Sequence, residues 1–298
     1  MLRFRNYLSL VKFSHTLFAL PFALIGFFLG VFGKKNFDEA GSPGMVIVLL
    51  RFFLVLICMI TARSAAMAFN RWLDRHFDAR NPRTAIREIP RGIIAPHSAL
   101  RFVIVCCILF MTTCWFINPL CFFLSPVTLF VILFYSYTKR FTPLCHLVLG
   151  IGLSLAPIGA FLAVTGKFEI LPILFSGAVV CWVSGFDIIY AMQDVDFDKS
   201  EKLFSIPVVV GKSKALVVSS FLHMLSVVFV LLAGTLGNFG SWYWVGLVLF
   251  VGMLIYQHAI VKPDDLSRVN LTFMTANGVA SVVFAIFVIT DMFITHKH

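Results

Sequence analysis

The sequence predicts an all-α, polytopic membrane bundle of about nine transmembrane helices. Composition is the first reason: of 298 residues, 60% are hydrophobic and 13% charged, against roughly 45–50% and about 25% in soluble domains. Mean hydropathy, at +0.95, agrees. The third reason is the distribution of charge. Phe13 to Gly33, Phe102 to Thr138, Phe141 to Gly166, Ile170 to Phe186, Ala215 to Val261 and Val269 to Thr290 contain no Asp, Glu, Lys or Arg. A soluble sphere has nowhere to bury so much apolar surface, which excludes a soluble enzyme, a disordered chain and a secreted disulfide scaffold. Only helix bundles and closed barrels satisfy their backbone groups in lipid. A barrel alternates apolar and polar residues over about ten positions, and these runs do not.

A helical span needs about 20 apolar residues, so each run converts into elements. Phe13 to Gly33 is one helix, near 14–33. The basic Arg3, Arg5 and Lys12 before it resemble a signal peptide, but the run is span-length and lacks a small-x-small cleavage pair, so it reads as a retained first helix. Met45 to Phe69 is a second helix, interrupted only by Arg51 and Arg63. Phe102 to Thr138 holds two spans, near 100–117 and 120–138, parted by the Asn118-Pro119 turn signal. Two more follow near 143–166 and 170–190. Ala215 to Val261 divides at Gly234, Gly237, Asn238 and Gly240 into spans near 214–235 and 241–261. The ninth lies near 271–292. The whole of 1–298 reads as one integral-membrane domain.

Charge sets the expected orientation, because cytoplasmic loops collect Lys and Arg. With nine spans, the face holding the N-terminus and the loops near 70–100, 139–142, 191–213 and 262–270 carries 18 of the 24 Lys and Arg, and the other face carries 4. The N-terminus is therefore expected in the cytoplasm. The net charge of +10 reflects membrane topology rather than a nucleic-acid footprint. The seven cysteines form no C-x-x-C pair, all fall in predicted helices, and read as small apolar packing residues.

Half of the 14 acidic residues fall in two short segments at the cytoplasmic ends of the second and sixth helices: Asp74, Asp78, Asp187, Asp194, Asp196, Asp198 and Glu201. Asp74-Arg-His-Phe-Asp78 and Asp194-Val-Asp-Phe-Asp198 share a D-x-x-F-D pattern 120 residues apart, and Ile89-Pro90 and Ile206-Pro207 follow them. The repetition suggests two related four-helix halves plus a ninth helix. Residues four apart share a helix face, so Asp74 pairs with Asp78, Asp194 with Asp198, and Asn70 extends the first row. Arg63 lies seven before Asn70 and points the same way. Two carboxylate pairs at a membrane edge call for cations, and Mg²⁺ takes one or two carboxylates together with waters and substrate phosphates. Arg75, Arg80, Arg83, Arg87, Lys199 and Lys202 are placed to hold phosphate oxygens, the arginines bidentately. The pattern describes a metal and diphosphate site above a lipid-embedded bundle, and a lipid diphosphate fits both environments. Asp291, near the opposite end, reads as interfacial, and Asp196 and Glu201 as solvated.

Asn70-Arg-Trp-Leu-Asp74-Arg-His-Phe-Asp78 resembles the N-x-x-x-D-x-x-x-D motif of the UbiA family of intramembrane aromatic prenyltransferases, and Asp194-x-x-x-Asp198 resembles its second aspartate motif. Tyr135-Ser-Tyr-Thr-Lys139-Arg140-Phe-Thr142, followed by Leu149-Gly150, is similar to the family's Y-x-x-x-K-R-x-T segment. Arg63, Asp187 and Tyr190 also fall where the family pattern has them. The resemblance spans nearly the whole chain and implies a nine-helix fold with Mg²⁺ dependence. It implies Mg²⁺, two ions in all, on Asn70, Asp74 and Asp78 and on Asp194 and Asp198. Arg63, Arg83 and Lys199 would grip the diphosphate, and Lys139 and Arg140 would orient an aromatic carboxylate or phenolate. Asp187 or Asp194 would take the ring proton or steady the cation. Ala62 to Gly92, with Asn81-Pro-Arg83-Thr84 and Arg87-Glu-Ile-Pro90, looks closest to the 4-hydroxybenzoate polyprenyltransferase branch and to its relatives in futalosine-type menaquinone synthesis. The implied partners are a polyprenyl diphosphate, a small aromatic carboxylic acid (4-hydroxybenzoate or 1,4-dihydroxy-6-naphthoate) and membrane lipid.

Two rival readings fit the sequence less well. A transporter places its ionisable residues near the bilayer midplane, whereas these acids gather at helix ends. A CDP-alcohol phosphatidyltransferase needs a D-G-x-x-A-R segment that this chain lacks.

Overall fold

A computed structural model describes residues 6–7, 9–11, 19–33, 44–271 and 275–295. Within them, nine helices of more than ten residues run α1 (Leu20–Phe32), α2 (Met45–Leu73), α3 (Pro96–Ile117), α4 (Pro119–Thr138), α5 (Cys145–Thr165), α6 (Ile170–Ala191), α7 (Lys212–Leu236), α8 (Ser241–Ile260) and α9 (Asn277–Thr295). All except α1 are long and apolar enough to cross a membrane, and the protein is an integral membrane protein. Positions 14–18 of the expected first helix and the basic residues Arg3, Arg5, Lys12, Lys34, Lys35 and Lys297 lie outside the described residues. Among the described residues there is no paired strand, only an isolated bridge between Lys262 and Asp265.

Local sequence explains where the spans begin and end. Proline opens α3 and α4, where its missing N–H costs nothing. Asn118 both separates these helices and caps the second: its side chain accepts from the Cys121 N–H at 2.8 Å and donates to Leu162 O at 2.9 Å, tying the turn to α5. Gly166 ends α5 at φ +67°, the left-handed conformation that glycine adopts without penalty. The 29 residues of α2 give a length of about 43 Å, beyond the roughly 30 Å hydrocarbon slab. Its last turns therefore stand clear of the apolar layer and carry the first aspartate motif into polar surroundings.

Consecutive helices from α2 to α9 pack on one another, while α1 lies against α5, α9 and α6. The approach of α1 to α5 is close: a Cβ on Gly26 would come within 2.1 Å of the Pro157 carbonyl oxygen. The pairings fit two related halves, since α2 packs on α3 as α6 packs on α7, and α3 packs on α4 as α7 packs on α8.

The two halves are filled differently. Phe22, Phe175, Trp182, Tyr243, Phe250 and Phe284 close the second half into a continuous aromatic core. Between the first half and α5, small residues of α2 and α5 (Ala62, Ala66, Gly152, Ala156, Ala160) leave a cavity of about 360 Å³ bounded also by α3 and α4. The 120-residue offset between the aspartate motifs sets fully buried Trp182 of α6 against Ala62 of α2. One half thus carries an indole where the other carries a methyl group and a cavity.

At the end remote from the motifs, Asp291 is buried rather than interfacial. Its Oδ1 accepts from the N–H groups of Trp242 and Tyr243, and its Oδ2 from that of Gly240 at 2.7 Å. The carboxylate caps α8 from α9, favourably placed at the positive end of the helix dipole. Sequence position showed the charge but not the long-range cap. Asp291→Ala leaves three N–H groups without this acceptor and lowers stability by about 1–3 kcal/mol, read as a drop in thermal midpoint in detergent. Gly252→Ala, where an added Cβ meets nothing within 4 Å, leaves that midpoint nearly unchanged.

Candidate active site

The helix α2 breaks at Asp74, and a further helical turn, Arg75–Arg80, carries Asp78. At the end of α6 the chain tightens through Met192–Asp194 and then resumes as Val195–Ser200, which carries Asp198. Both motifs therefore sit on short helical extensions at the same end of the bundle. Asp74 and Asp78 remain one turn apart, with the Asp78 N–H on Asp74 O at 2.8 Å.

The structure pairs each of the four motif carboxylates with a basic side chain. Arg140 Nη2 donates to Asp74 Oδ1 at 2.8 Å, and Arg87 Nη1 reaches both Asp78 oxygens at 2.7 and 2.9 Å. Arg83 grips Asp194 through Nε at 2.9 Å and through Nη2, and its Nη1 donates to the Tyr190 hydroxyl at 2.7 Å. Lys139 Nζ lies 2.8 Å from Asp198 Oδ1. Two of these pairs join the halves: Arg83 follows the first motif and holds the second, and Lys139 at the end of α4 does the same. Asn81 adds a bond from Nδ2 to Asp194 Oδ1 at 3.2 Å, and Arg80 reaches Glu201 at 2.9 Å. Glu201 is thus an ion-pair partner, not simply a solvated charge.

Low dielectric explains the pairing, since an unpaired buried charge costs several kcal/mol. Burial lifts the Asp74 carboxyl above its ordinary value, against the opposing pull of Arg140. Burial also works against charge on Lys139, yet Asp198 beside it holds the ammonium above its ordinary value. Arg83 behaves alike: burial opposes its charge, and Asp194 and Tyr190 together more than restore it.

The remaining predicted residues separate into four groups. Asn70 donates to Asp74 Oδ2 at 3.1 Å and so belongs to the first motif. Arg63, about two turns below Asn70 on α2, lines the cavity with Tyr135. Its Nε is buried and has no hydrogen-bond partner among the described residues. Lys199 is exposed, outside the ion-pair network. Lys139 and Arg140, read from the sequence as ligands for an aromatic carboxylate, are here occupied by Asp198 and Asp74.

Asp187 makes a contact that sequence reasoning missed. His146 Nδ1 lies 2.7 Å from its Oδ2. A lone histidine at the start of an apolar helix gives no sequence signal, apart from its place shortly after the Tyr135–Thr142 segment. The pairing of Arg87 with Asp78 was likewise hidden, because it depends on how the chain folds back between α2 and α3.

Chemically, the site offers carboxylate and amide oxygens above, an orphaned guanidinium nitrogen and a phenol at the neck, and an apolar chamber below. The oxygen donors suit a hard cation, and so does Asp198 Oδ2, a buried carboxylate oxygen with no hydrogen-bond partner among the described residues. No three acidic, histidine or cysteine side chains converge on a single point among the described residues. The fit is therefore to ions that each take one or two carboxylates from a single motif, the rest of the shell being left to water and phosphate oxygens.

A model of the UbiA prenyltransferase family matches residues 16–279. The chain is 30% identical over 245 residues to a 4-hydroxybenzoate octaprenyltransferase of Nitrosospira multiformis, covering 82% of this chain and 83% of that one. It is 28% identical over 223 residues to the protein of the same name from Aeromonas hydrophila, covering 75% and 77%. Among solved structures it resembles the apo structure of a UbiA homolog from Aeropyrum pernix K1, with a TM-score of 0.77, 28% identity and coverage of 95% and 98%. It shares its fold with a UbiA homolog from Archaeoglobus fulgidus bound to DMAPP and Mg²⁺, with a TM-score of 0.71, 18% identity and coverage of 97% and 99%.

Lys139→Met strands Asp198, whose side chain is 1% exposed, without a counter-charge. The expected loss of stability is ~3 kcal/mol, the lower edge of the range for pairs buried on both sides. Adding Asp198→Asn recovers most of it, as a double-mutant cycle of thermal or denaturant unfolding in detergent will show.

Proposed function

Because the chain belongs to the UbiA prenyltransferase family and is a prenyltransferase by that membership, we propose that it moves a polyprenyl group from its diphosphate to a 4-hydroxybenzoate-type aromatic acid for respiratory quinone synthesis. The observation that carries this reading is the junction at Arg63 and Tyr135. There the carboxylate-rich end of the bundle meets an apolar cavity, the shape and polarity of a lipid diphosphate. The names of the relatives support the acceptor class. We place this end of the bundle in the cytoplasm, on the bias of Lys and Arg.

Asn70, Asp74 and Asp78 would hold one Mg²⁺, and Asp194 and Asp198 a second. When bound, Mg²⁺ neutralises the departing diphosphate as a Lewis acid. The chain's own side chains do the rest. Arg83 and Arg63 bind diphosphate oxygens, with Lys199 at the outer edge. Lys139 and Arg140, held at rest by Asp198 and Asp74, would be free to meet the substrate anions wherever those carboxylates held metal instead. The site thereby exchanges one set of neutral pairs for another. Helix walls around the cavity hold the tail and exclude the water that would quench an allylic cation.

The ring proton needs an acceptor with a free oxygen. Both oxygens of Asp194 are occupied by Arg83 and Asn81. Asp187 commits Oδ2 to His146 and has no partner on Oδ1 among the described residues. Asp187 is therefore the better base.

The test is turnover by purified protein in detergent with Mg²⁺ and a polyprenyl diphosphate, with 4-hydroxybenzoate and 1,4-dihydroxy-6-naphthoate offered separately. A C-prenylated product is expected. Asp74→Ala and Asp194→Ala should each lower kcat by at least about 10²-fold, the scale of losing one electrostatic stabiliser. Absence of diphosphate release with either acceptor, from folded protein, overturns the reading.

The cavity makes a separate prediction. Ala62→Phe places a ring where the second half carries Trp182, filling the chamber. Use of long polyprenyl diphosphates should fall more than use of a five-carbon donor, with no loss of thermal midpoint. Competition between the two donors measures it.

A further inference from the structure

We infer that His146 is a positioning residue for proton removal: it holds Asp187 in one rotamer with one carboxylate oxygen turned free for the substrate ring. The inference rests on the prenyltransferase reading above and adds to it a residue outside both aspartate motifs.

The contacts of the imidazole fix its role. His146 is almost fully buried, with 2% of its surface exposed. On one side, Nδ1 meets Asp187 Oδ2 at 2.7 Å. On the other, the Ile206 N–H donates to Nε2 at 3.4 Å. A ring that accepts at Nε2 carries its proton at Nδ1, so the Asp187 contact is Nδ1–H donating to the carboxylate. The backbone beneath the ring is held as well. Ser184 Oγ, one helical turn before Asp187 on α6, donates to His146 O at 3.1 Å. Gly150 lets α5 approach α6 so closely that a Cβ there would meet Ser184 Oγ at 2.5 Å and Val180 O at 2.6 Å. Imidazole and carboxylate thus face each other across a tight helix contact.

The same ring ties this contact to the second motif. Ile206 lies just beyond Phe204, whose N–H donates to Lys139 O at 2.7 Å, and Lys139 is the partner of Asp198. Asp187, the segment after the second motif and the end of α4 therefore share one anchored arrangement. Asp187 needs such an anchor because its side chain is 24% exposed and Arg83, Arg87, Lys139 and Arg140 are already committed to other carboxylates. Without His146 its carboxylate is free to rotate, and a misplacement of about an ångström costs on the order of 10²-fold in rate.

In the step concerned, the ring carbon has formed its bond to the prenyl group and the cationic ring still carries a hydrogen there. The C–H bond breaks, its electrons restore aromaticity, and the proton passes to Asp187 Oδ1. His146 keeps its own proton on Nδ1 throughout.

Substitution at position 146 tests this. Asn sets an amide N–H near the place of Nδ1, whereas Gln extends its amide toward the place of Nε2. His146→Ala and His146→Gln should lower kcat by about 10²-fold with KM for both substrates little changed. His146→Asn should restore most of the rate. Acceptor deuterated at the reacting ring carbon gives the decisive readout. Proton removal becomes slow only if the base is misplaced, so a primary isotope effect absent from wild type should appear in the Ala and Gln variants and fade in the Asn variant. Loss of rate without that isotope effect, or equal loss in all three variants, overturns the proposal. A wild-type enzyme inactive toward both acceptors instead overturns the reading beneath it. The hydrogen bond can be checked apart from turnover: the Nδ1 proton resonance of His146 in ¹⁵N-histidine-labelled protein should shift in Asp187→Asn, and no shift means no such bond.

Discussion

Everything at the working end of this molecule follows from the cost of holding four carboxylates beside an apolar bundle. Each of Asp74, Asp78, Asp194 and Asp198 has its own cation, in Arg140, Arg87, Arg83 and Lys139. Few of these cations are close to their carboxylate in the chain. Arg83 reaches Asp194 and Lys139 reaches Asp198 from other segments, so neutralisation also locks the two halves together. The loop between α2 and α3, the end of α4 and the turn after α6 are held by the electrostatics of the site as much as by packing. A fold that separated these segments would leave buried charges unpaired, at several kcal/mol each.

The second constraint is space. The two halves share a plan but divide its volume unequally, and the contrast at Trp182 and Ala62 shows how. A fully buried indole between α6, α8 and α9 completes a core with Phe250, Phe284 and Phe22. The corresponding methyl group, with Ala66 opposite Gly152 and Ala156, leaves the first half open. The aromatic core lies in one half and the chamber borders the other. Ala62, Ala66, Gly152 and Ala156 on α2 and α5 line the open space, whereas Gly150 on α5 lets α6 come close.

How much of this was legible in the sequence depends on whether the signal is local. The spans were, because hydropathy is additive along the chain; Asn118-Pro119 marked a boundary that the structure confirms with a cap. The motifs were legible too, since a four-residue spacing survives the break in α2 at Asp74. What the sequence hid was pairing between distant segments. Nothing local distinguishes Lys139, bound to Asp198, from a topology-setting lysine. Asp291 looked interfacial because its three N–H donors lie about fifty residues away at the start of α8. His146 carried no pattern at all, and only the approach of α5 to α6 at Gly150 gives it a partner. The location of the cavity was hidden for the same reason, as composition shows alanines and glycines but not which of them face one another.

The resting pairs also bear on how such a site can work at all. Were the carboxylates bare, binding two cations and a diphosphate would begin from a strongly repulsive arrangement, stable only with metal already in place. Were the pairs too deeply buried, exchanging them would cost more than substrate binding returns. The partners here are intermediate. Asp198 and Asp78 are nearly inaccessible, but Lys139 and Arg87 keep 34% and 22% of their side chains open, and Arg83 31%. The acids stay fixed while the bases retain a path outward, which suits flexible lysine and arginine stems. Four fixed carboxylates, each with its own movable counter-cation, leave the two motifs in neutral balance. That neutrality lets so much charge stand directly above an apolar chamber.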